Sequence, residues 1–171
     1  MRTKVFAILA ALFAAAALAF TGCKAPEKAG EYDCSCTLYI DCKTILDNMD
    51  ELDPEKAELI PEDGVILERV TVGFNEGESV YDLLLRELRA RGIHIESSFT
   101  PVYNSAYVEG INNIYEFDCG PLSGWEYRVN GQFPNYGCSG YYPKDGDAIE
   151  FLYTCDLGAD IGDEYSQGRG E

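Results

Sequence analysis

The 171-residue sequence is poor in the side chains that enzymes use for proton transfer, since it contains a single histidine, His94. General acid-base and nucleophilic catalysis need positioned, activated groups, most often including a histidine. His94 lies between Ile93 and Ile95 in an alternating segment, which predicts a solvated side chain. Nucleophile-elbow, HExxH and phosphate-binding glycine-loop motifs are missing. We therefore predict that the protein is not an enzyme, and a carboxylate-pair hydrolase is the catalytic alternative.

Basic residues are also scarce: 13 Lys and Arg stand against 30 Asp and Glu, for a formal net charge of -17. Such a charge repels nucleic acid and anionic lipid headgroups, so we predict no nucleic-acid partner. The acidic run "DNMDELDPE", residues 47–55, offers oxygen ligands for calcium, but Met49 occupies a position where an EF-hand loop needs a ligand. The run is therefore interpreted as a solvated acidic loop, and no metal site is predicted.

The sequence has one long apolar run, "VFAILAALFAAAALAF", from Val5 to Phe20. It is short for a membrane span, which needs about 20 apolar residues, and suits the core of a signal peptide. The "FTGC" that ends at Cys23 resembles the lipobox of bacterial lipoproteins. We predict a lipoprotein signal peptide over 1–22, a lipidated Cys23, and an extracytoplasmic protein that its lipid anchors to the bacterial cell membrane. Ordinary secretion with an incidental cysteine is the alternative.

Six further cysteines follow Cys23: Cys34, Cys36, Cys42, Cys119, Cys138 and Cys155. In an extracytoplasmic domain they favour disulfides over metal binding, although six cysteines allow fifteen pairings. Cys119 and Cys138 bracket an aromatic segment, while Cys42 and Cys155 each end a predicted strand, so we expect these two bridges. The roles of Cys34 and Cys36 stay open. The alternative is zinc binding by Cys34, Cys36 and Cys42, although paired CxxC units are missing.

Residues 36–158 are predicted to form one α+β domain in which a mixed sheet packs on a single helix, an arrangement that fits a disulfide-stapled, β-grasp-like (ubiquitin-like) fold. The helix is indicated by apolar residues at i, i+3, i+4 and i+8 from Val80, with Ser79 as its cap and Gly92 as its end. Asn130-Gly131 predicts a hairpin turn. Alternating segments predict strands at 36–42, 65–74, 93–98, 106–117, 124–133 and 148–155. Residues 23–35 are predicted to be a spacer, residues 43–64 a long acidic connection with a short helical turn, and residues 159–171 a disordered tail.

Aromatic side chains concentrate in residues 119–147. Aromatic rings suit both a core and a ligand contact, because they bury large areas with few rotatable bonds. One interpretation is that Trp125, Tyr127 and Phe133 fill the core. The other is that residues near the loop form an exposed ligand-binding rim: Phe133, Asn135, Tyr136 and Tyr142.

The segment "GCSGYYPKDGDAIEF", from Gly137 to Phe151, resembles the C-terminal β-domain of the vitamin B12 carriers transcobalamin and intrinsic factor. "GWEYRVNG" resembles the Trp-containing strand of that family. A bacterial branch, domain of unknown function 4430, has patterns similar to "CKTILDN", "VEGINNIYEFDCG" and "NYGCS", and often occurs on lipoproteins. The resemblance covers roughly residues 36–158.

This resemblance implies a β-grasp-like domain and the capture of cobalamin or a related corrinoid, with no cofactor required. It assigns ligand contact to Trp125, Glu126 and Tyr127. The mammalian carriers hold cobalamin mainly with a larger helical domain, for which this chain has no counterpart. We therefore expect a small-molecule ligand that is passed to a membrane transporter partner. The affinity should be weak unless a partner supplies the rest of the site. An adhesion or scaffold module that binds protein or polysaccharide through the aromatic hairpin is the alternative.

Overall fold

The computed structural model describes residues 32–100 and 105–163. The predicted signal peptide 1–22, the lipidation site Cys23 and spacer residues 24–31 lie outside the described residues. The predicted tail lies partly outside them, from residue 164 onwards.

Seven strands and one α-helix make up the described part of the chain. The elements are β1 (Cys34–Asp41), β2 (Val65–Phe74), α1 (Val80–Arg91), β3 (Ile95–Thr100), β4 (Ser105–Ile111), β5 (Ile114–Tyr115), β6 (Gly124–Val129) and β7 (Ala148–Thr154). Short 3-10 helices occur at Lys43–Asp47, Pro54–Leu59, Cys138–Gly140 and Ala159–Ile161.

The larger sheet has the strand order β2-β1-β7-β6. Strand β1 pairs antiparallel with β2 and parallel with β7, so the first and last strands of the domain lie side by side at the centre of the sheet. Alternation places Leu38 and Ile40 of β1 and Ile149 of β7 in the core, where each is fully buried. This central pair carries β6 on its outer side, with Trp125 opposite Tyr153.

The helix α1 packs its apolar stripe into the same core. Leu83, Leu84 and Leu88 are fully buried, as their spacing predicts. The helix begins with a reciprocal capping box, in which Ser79 and Asp82 each accept a hydrogen bond from the other's backbone N–H. It ends at Gly92, whose φ of 70° is in the left-handed region that glycine adopts without a steric penalty. Both predicted ends of the helix are confirmed.

A second sheet has the order β3-β4-β5 and lies against the first through contacts between β4 and β6. Two sheets and one helix confirm the predicted α+β class, with a mixed sheet. The more specific β-grasp assignment stays a prediction.

The predicted turn at Asn130-Gly131 is confirmed, but the second arm that follows it is very short. Asn130 and Gly131 have φ values of 53° and 77°, as a tight turn requires, and Val129 bridges Gln132. Beyond Gln132 the chain leaves the sheet, and β6 pairs with β7 instead. Pro134 has no N–H to donate to a ladder, which explains why the second arm is so short.

The predicted connection 43–64 and the start of the predicted tail both contain short helical turns. The connection after β1 holds the 3-10 helices Lys43–Asp47 and Pro54–Leu59, in agreement with a predicted helical turn. The predicted tail begins with an ordered turn, because Asp160 accepts hydrogen bonds from the Thr154 hydroxyl and from the Cys155 N–H. The folded part therefore extends beyond residue 158, which corrects that predicted boundary.

Within residues 32–100 and 105–163, none of the helices has both the length and the apolar character needed to cross a membrane.

Candidate functional site

A groove of about 800 Å³ opens where β4 of the second sheet approaches β6 of the first. Its volume is in the range of about 300–1,000 Å³ that is usual for small-molecule sites. Its wall combines residues from β4, β6 and β7 with the loop that follows the Asn130-Gly131 turn and with one C-terminal residue: Ala106, Tyr107, Val108, Trp125, Glu126, Tyr127, Phe133, Pro134, Asn135, Tyr136, Gly137, Cys138, Phe151 and Asp163.

Rings from β6 and β7 form the inner wall of the groove. Trp125 packs edge-on against Tyr153 at a centroid distance of 5.2 Å, and its Nε1–H donates to the Ile114 carbonyl at 2.9 Å. Tyr127 stacks on Phe151 at 5.8 Å. Trp125 is only 7% exposed. These rings therefore belong to the core as well as to the groove, which confirms the core interpretation for Trp125.

The loop supplies the outer rim of the groove. Tyr136 is 52% exposed and stacks on Tyr141 at 6.1 Å, and its backbone carbonyl accepts a hydrogen bond from the Tyr127 hydroxyl at 2.8 Å. This hydrogen bond fixes the loop to β6 while the Tyr136 ring stays accessible. Asn135 is exposed beside it.

The polar side chains of the groove are acidic or neutral. Glu126 and Asp163 converge near Gly158, where an added Cβ would lie 2.8 Å from a Glu126 oxygen and 2.9 Å from the Asp163 Cβ. The Tyr107 hydroxyl donates to Glu116 Oε2 at 2.6 Å. Burial, followed by the Glu116 hydrogen bond and nearby carboxylates, raises the pKa of Tyr107, so this phenol stays protonated at neutral pH.

Burial likewise raises the pKa of Tyr127 far above its ordinary value. Because the lining residues include no Lys, Arg or His, the groove offers aromatic faces, hydroxyl groups and negative charge. Such a surface binds through stacking and hydrogen bonds, and it favours ligands that carry hydrogen-bond donors or positive charge over anions.

Six of the seven residues predicted to contact a ligand line this groove: Trp125, Glu126, Tyr127, Phe133, Asn135 and Tyr136. Their binding role stays a prediction. Tyr142 is 60% exposed and does not belong to the lining set. The sequence does not predict the β4 wall or Asp163, because contacts between two sheets and with a residue beyond the last strand leave no local pattern.

His94 lies away from the groove, and its side chain is 45% exposed. Its Nε2 is 3.0 Å from the Tyr115 hydroxyl, which in turn donates to Glu96 Oε2. The predicted exposed position of His94 is confirmed.

All six cysteines of the described chain are free thiols in the structure. The structure does not show the predicted bridges Cys42–Cys155 and Cys119–Cys138, and both stay predictions. Cys42 is fully buried and Cys138 is 3% exposed. Burial raises the pKa of each of these two thiols to about 12. No group of three or more Cys, His, Asp or Glu side chains within the described ranges has an arrangement that could hold a metal ion.

The fold and the groove define a small α+β domain with an aromatic pocket between two sheets. Residues 77–154, which run from just before α1 to the end of β7, match the domain of unknown function DUF4430. This match supports the resemblance to the DUF4430 family that the sequence predicts. No curated protein matches the chain.

Two solved structures are distantly similar. Haptocorrin, crystallised in complex with Cbi, is 12% identical with a TM-score of 0.49, and the match covers 71% of this chain and 25% of the haptocorrin chain. The chain thus spans about a quarter of haptocorrin. A protein from Ruminococcus gnavus ATCC 29149, named for metal binding, is 13% identical with a TM-score of 0.42, and the match covers 71% of this chain and 97% of that chain.

Proposed function

We propose that this protein is a surface-anchored bacterial lipoprotein whose β-grasp-like domain binds a small ligand, without catalysis, in the groove between β4 and β6. The observation that carries the proposal is the groove itself: six aromatic residues line one concave site, and the site has the volume of a small-molecule pocket. Aromatic rings with polar tips are suited to holding a flat, partly polar ligand.

A corrinoid is the ligand class to test first. The choice rests on the resemblance of "GWEYRVNG" and "GCSGYYPKDGDAIEF" to the β-domain of the cobalamin carriers. The groove would contact one side of such a ligand, so a membrane transporter that supplies the other side and then receives the ligand completes the proposal. Affinity of the isolated protein is then weak, because one wall must offset the whole entropic cost of binding.

The test is a titration of the protein with cobinamide, followed by tryptophan fluorescence and by calorimetry. Trp125 is the only tryptophan, so a ligand in the groove should change its emission. Calorimetry is needed as well, because a corrinoid absorbs light and can lower the signal without binding. Flat calorimetry at high cobinamide concentration would rule out the corrinoid proposal.

A matched pair of variants locates the site. Tyr136→Ala removes an exposed ring from the groove and should weaken binding by up to about tenfold, since an aromatic contact contributes about 0.5–1.5 kcal/mol. Tyr142→Ala removes a ring that is similarly exposed but lies outside the lining set, and should leave binding unchanged. Equal losses in both variants would contradict binding in the groove.

A second candidate function, adhesion, is favoured by one observation. Tyr136 and Tyr142 are 52% and 60% exposed, and both follow the Asn130-Gly131 turn, so they could contact a protein or polysaccharide together. In that case both alanine variants should weaken capture of the macromolecule, and cobinamide should not compete.

A further inference from the structure

Two cysteines, Cys119 and Cys155, meet at the end of the larger sheet. Gly124 and Thr154 form the last pair between β6 and β7, and Cys155 follows directly. The loop before β6 folds back to the same place, because the Cys119 N–H donates to Ser123 Oγ at 3.1 Å. Residues far apart in sequence are thereby brought to one end of the strand pair.

Both thiols also rest on the same turn, the 3-10 helix after β1. The Cys119 Sγ–H donates to the Asn48 carbonyl at 3.4 Å, and the Cys155 Sγ–H donates to Thr44 Oγ1 at 3.7 Å. Asn48 Nδ2 donates to the Thr44 carbonyl at 2.8 Å, so the two acceptors belong to one rigid turn. The two thiols are close enough for each to affect the pKa of the other.

The predicted partners of these cysteines are placed differently. Cys138 lies in the 3-10 helix Cys138–Gly140, which contacts α1 and β4, and it lines the groove. Cys42 is completely buried and is near Cys155 as well, so the experiment must distinguish it from Cys119. Cys155 is half-buried, and is the more accessible member of the Cys119–Cys155 pair, since Cys119 is 2% exposed.

We propose that Cys119 and Cys155 form a redox pair, which thiol–disulfide exchange with an oxidised protein or low-molecular-weight disulfide converts into an intramolecular disulfide. The Cys155 thiolate attacks the oxidant, forms a mixed disulfide and releases one thiol. The Cys119 thiolate then attacks the Cys155 sulfur and releases the second thiol. The two cysteines give up two protons and two electrons, and the oxidant is reduced to two thiols.

The surroundings of the pair imply a slow, base-dependent reaction. Burial, together with the neighbouring Cys155 and two carboxylates, raises the pKa of Cys119 to about 12, and burial raises the pKa of Cys155. Only the thiolate reacts. While the pH is below the pKa of the attacking thiol, each increase of one pH unit should therefore raise the uncatalysed rate of that step about tenfold. The cross-link would join the loop before β6 to the end of β7, next to the Trp125–Tyr153 contact at the base of the groove.

Tryptic mapping of the full chain can identify the pair directly, because cleavage after Lys and Arg separates the cysteines that must be distinguished. Cys119 falls in peptide 92–128, Cys138 in 129–144, Cys155 in 145–169, and Cys42 with Cys34 and Cys36 in 29–43. The folded protein is incubated with oxidised glutathione at about pH 8, free thiols are alkylated, and the digest is analysed without reduction.

The expected product is 92–128 linked to 145–169. A link between 92–128 and 129–144 would overturn the proposal in favour of Cys119–Cys138, and a link between 29–43 and 145–169 would do so in favour of a cysteine such as Cys42. Persistence of both thiols under oxidation would also overturn it.

Three variants test the order of the two steps. Cys119→Ser should accumulate glutathione on Cys155, because the mixed disulfide then has no resolving thiol. Cys155→Ser should leave Cys119 unmodified over the same time, and glutathione on Cys119 would contradict the assigned order. Cys138→Ser, the control, should form the same cross-link as the unmodified sequence. The wild-type map decides the pairing even if a variant fails to fold.

Discussion

The Tyr153 hydroxyl links three segments at the base of the groove, and its removal should measurably destabilise the fold. The side chain is fully buried. Its hydroxyl donates to the Tyr115 carbonyl at 2.7 Å and lies 2.9 Å from Ser123 Oγ. Tyr153→Phe deletes this one oxygen and retains the ring that packs on Trp125.

The size of the effect follows from what the lost hydroxyl leaves behind. A buried polar group without a partner costs about 1–3 kcal/mol. The Tyr115 carbonyl keeps a longer hydrogen bond from the Asp118 N–H at 3.3 Å, and Ser123 Oγ keeps its bond from the Cys119 N–H. Because both groups retain a second partner, we expect a loss in the lower half of that range, about 1–2 kcal/mol of unfolding free energy.

Urea unfolding followed by Trp125 fluorescence measures this loss. The midpoint should fall while the denaturant slope stays constant, since the packed surface is unchanged. Tyr142→Phe is the control: its side chain is 60% exposed, so its stability should stay within about 0.5 kcal/mol of the wild type. A Tyr153→Phe protein as stable as the control would refute the role given to this hydroxyl.

Two further predictions concern the acid stability and the anchoring of the protein. Burial opposes ionisation of Glu150, but hydrogen bonds and charge from Arg128 and Arg69 outweigh it and lower its pKa. A depressed carboxyl pKa contributes stability that is present above the unfolded-state pKa and is lost as the pH falls through the folded-state pKa. Glu150→Gln removes this contribution, so the unfolding free energy of the variant should fall less steeply with decreasing pH in the acid range. An unchanged acid dependence would contradict this. Changing Cys23 to Ala should release the protein from membranes into the medium, and a wild-type protein without lipid by mass spectrometry would disprove the anchor.

The regular elements could be predicted because their signals are local. Ser79, the apolar spacing in α1 and Gly92 fix a helix by capping and amphipathicity, and the structure has that helix at those residues. The same holds for β2, where the predicted range 65–74 is the observed one. Each of these signals lies within about a dozen residues of chain and needs no knowledge of the partner.

Pairing between distant segments could not be predicted in the same way. The Asn130-Gly131 dipeptide specified its turn correctly, but the strand that pairs with β6 is β7, and its choice depends on burial of Phe151 and Tyr153 in the shared core. Six of the predicted ligand-contact residues line the groove together because they are close in sequence. The opposing β4 wall belongs to another sheet, and the meeting of Cys119 with Cys155 depends on a loop that folds back.

Core and binding rim prove to be two parts of one aromatic segment, and this division decides which residue can test function. Trp125 is 7% exposed and its indole N–H is bonded to Ile114, so Trp125→Ala would damage the fold by about 3–5 kcal/mol and would weaken binding indirectly. Tyr136 contributes its backbone carbonyl to the structure and its exposed ring to the groove. A substitution there keeps the carbonyl and removes only the ring, so loss of binding in Tyr136→Ala reports on ligand contact, whereas the same loss in a Trp125 variant would not distinguish contact from unfolding.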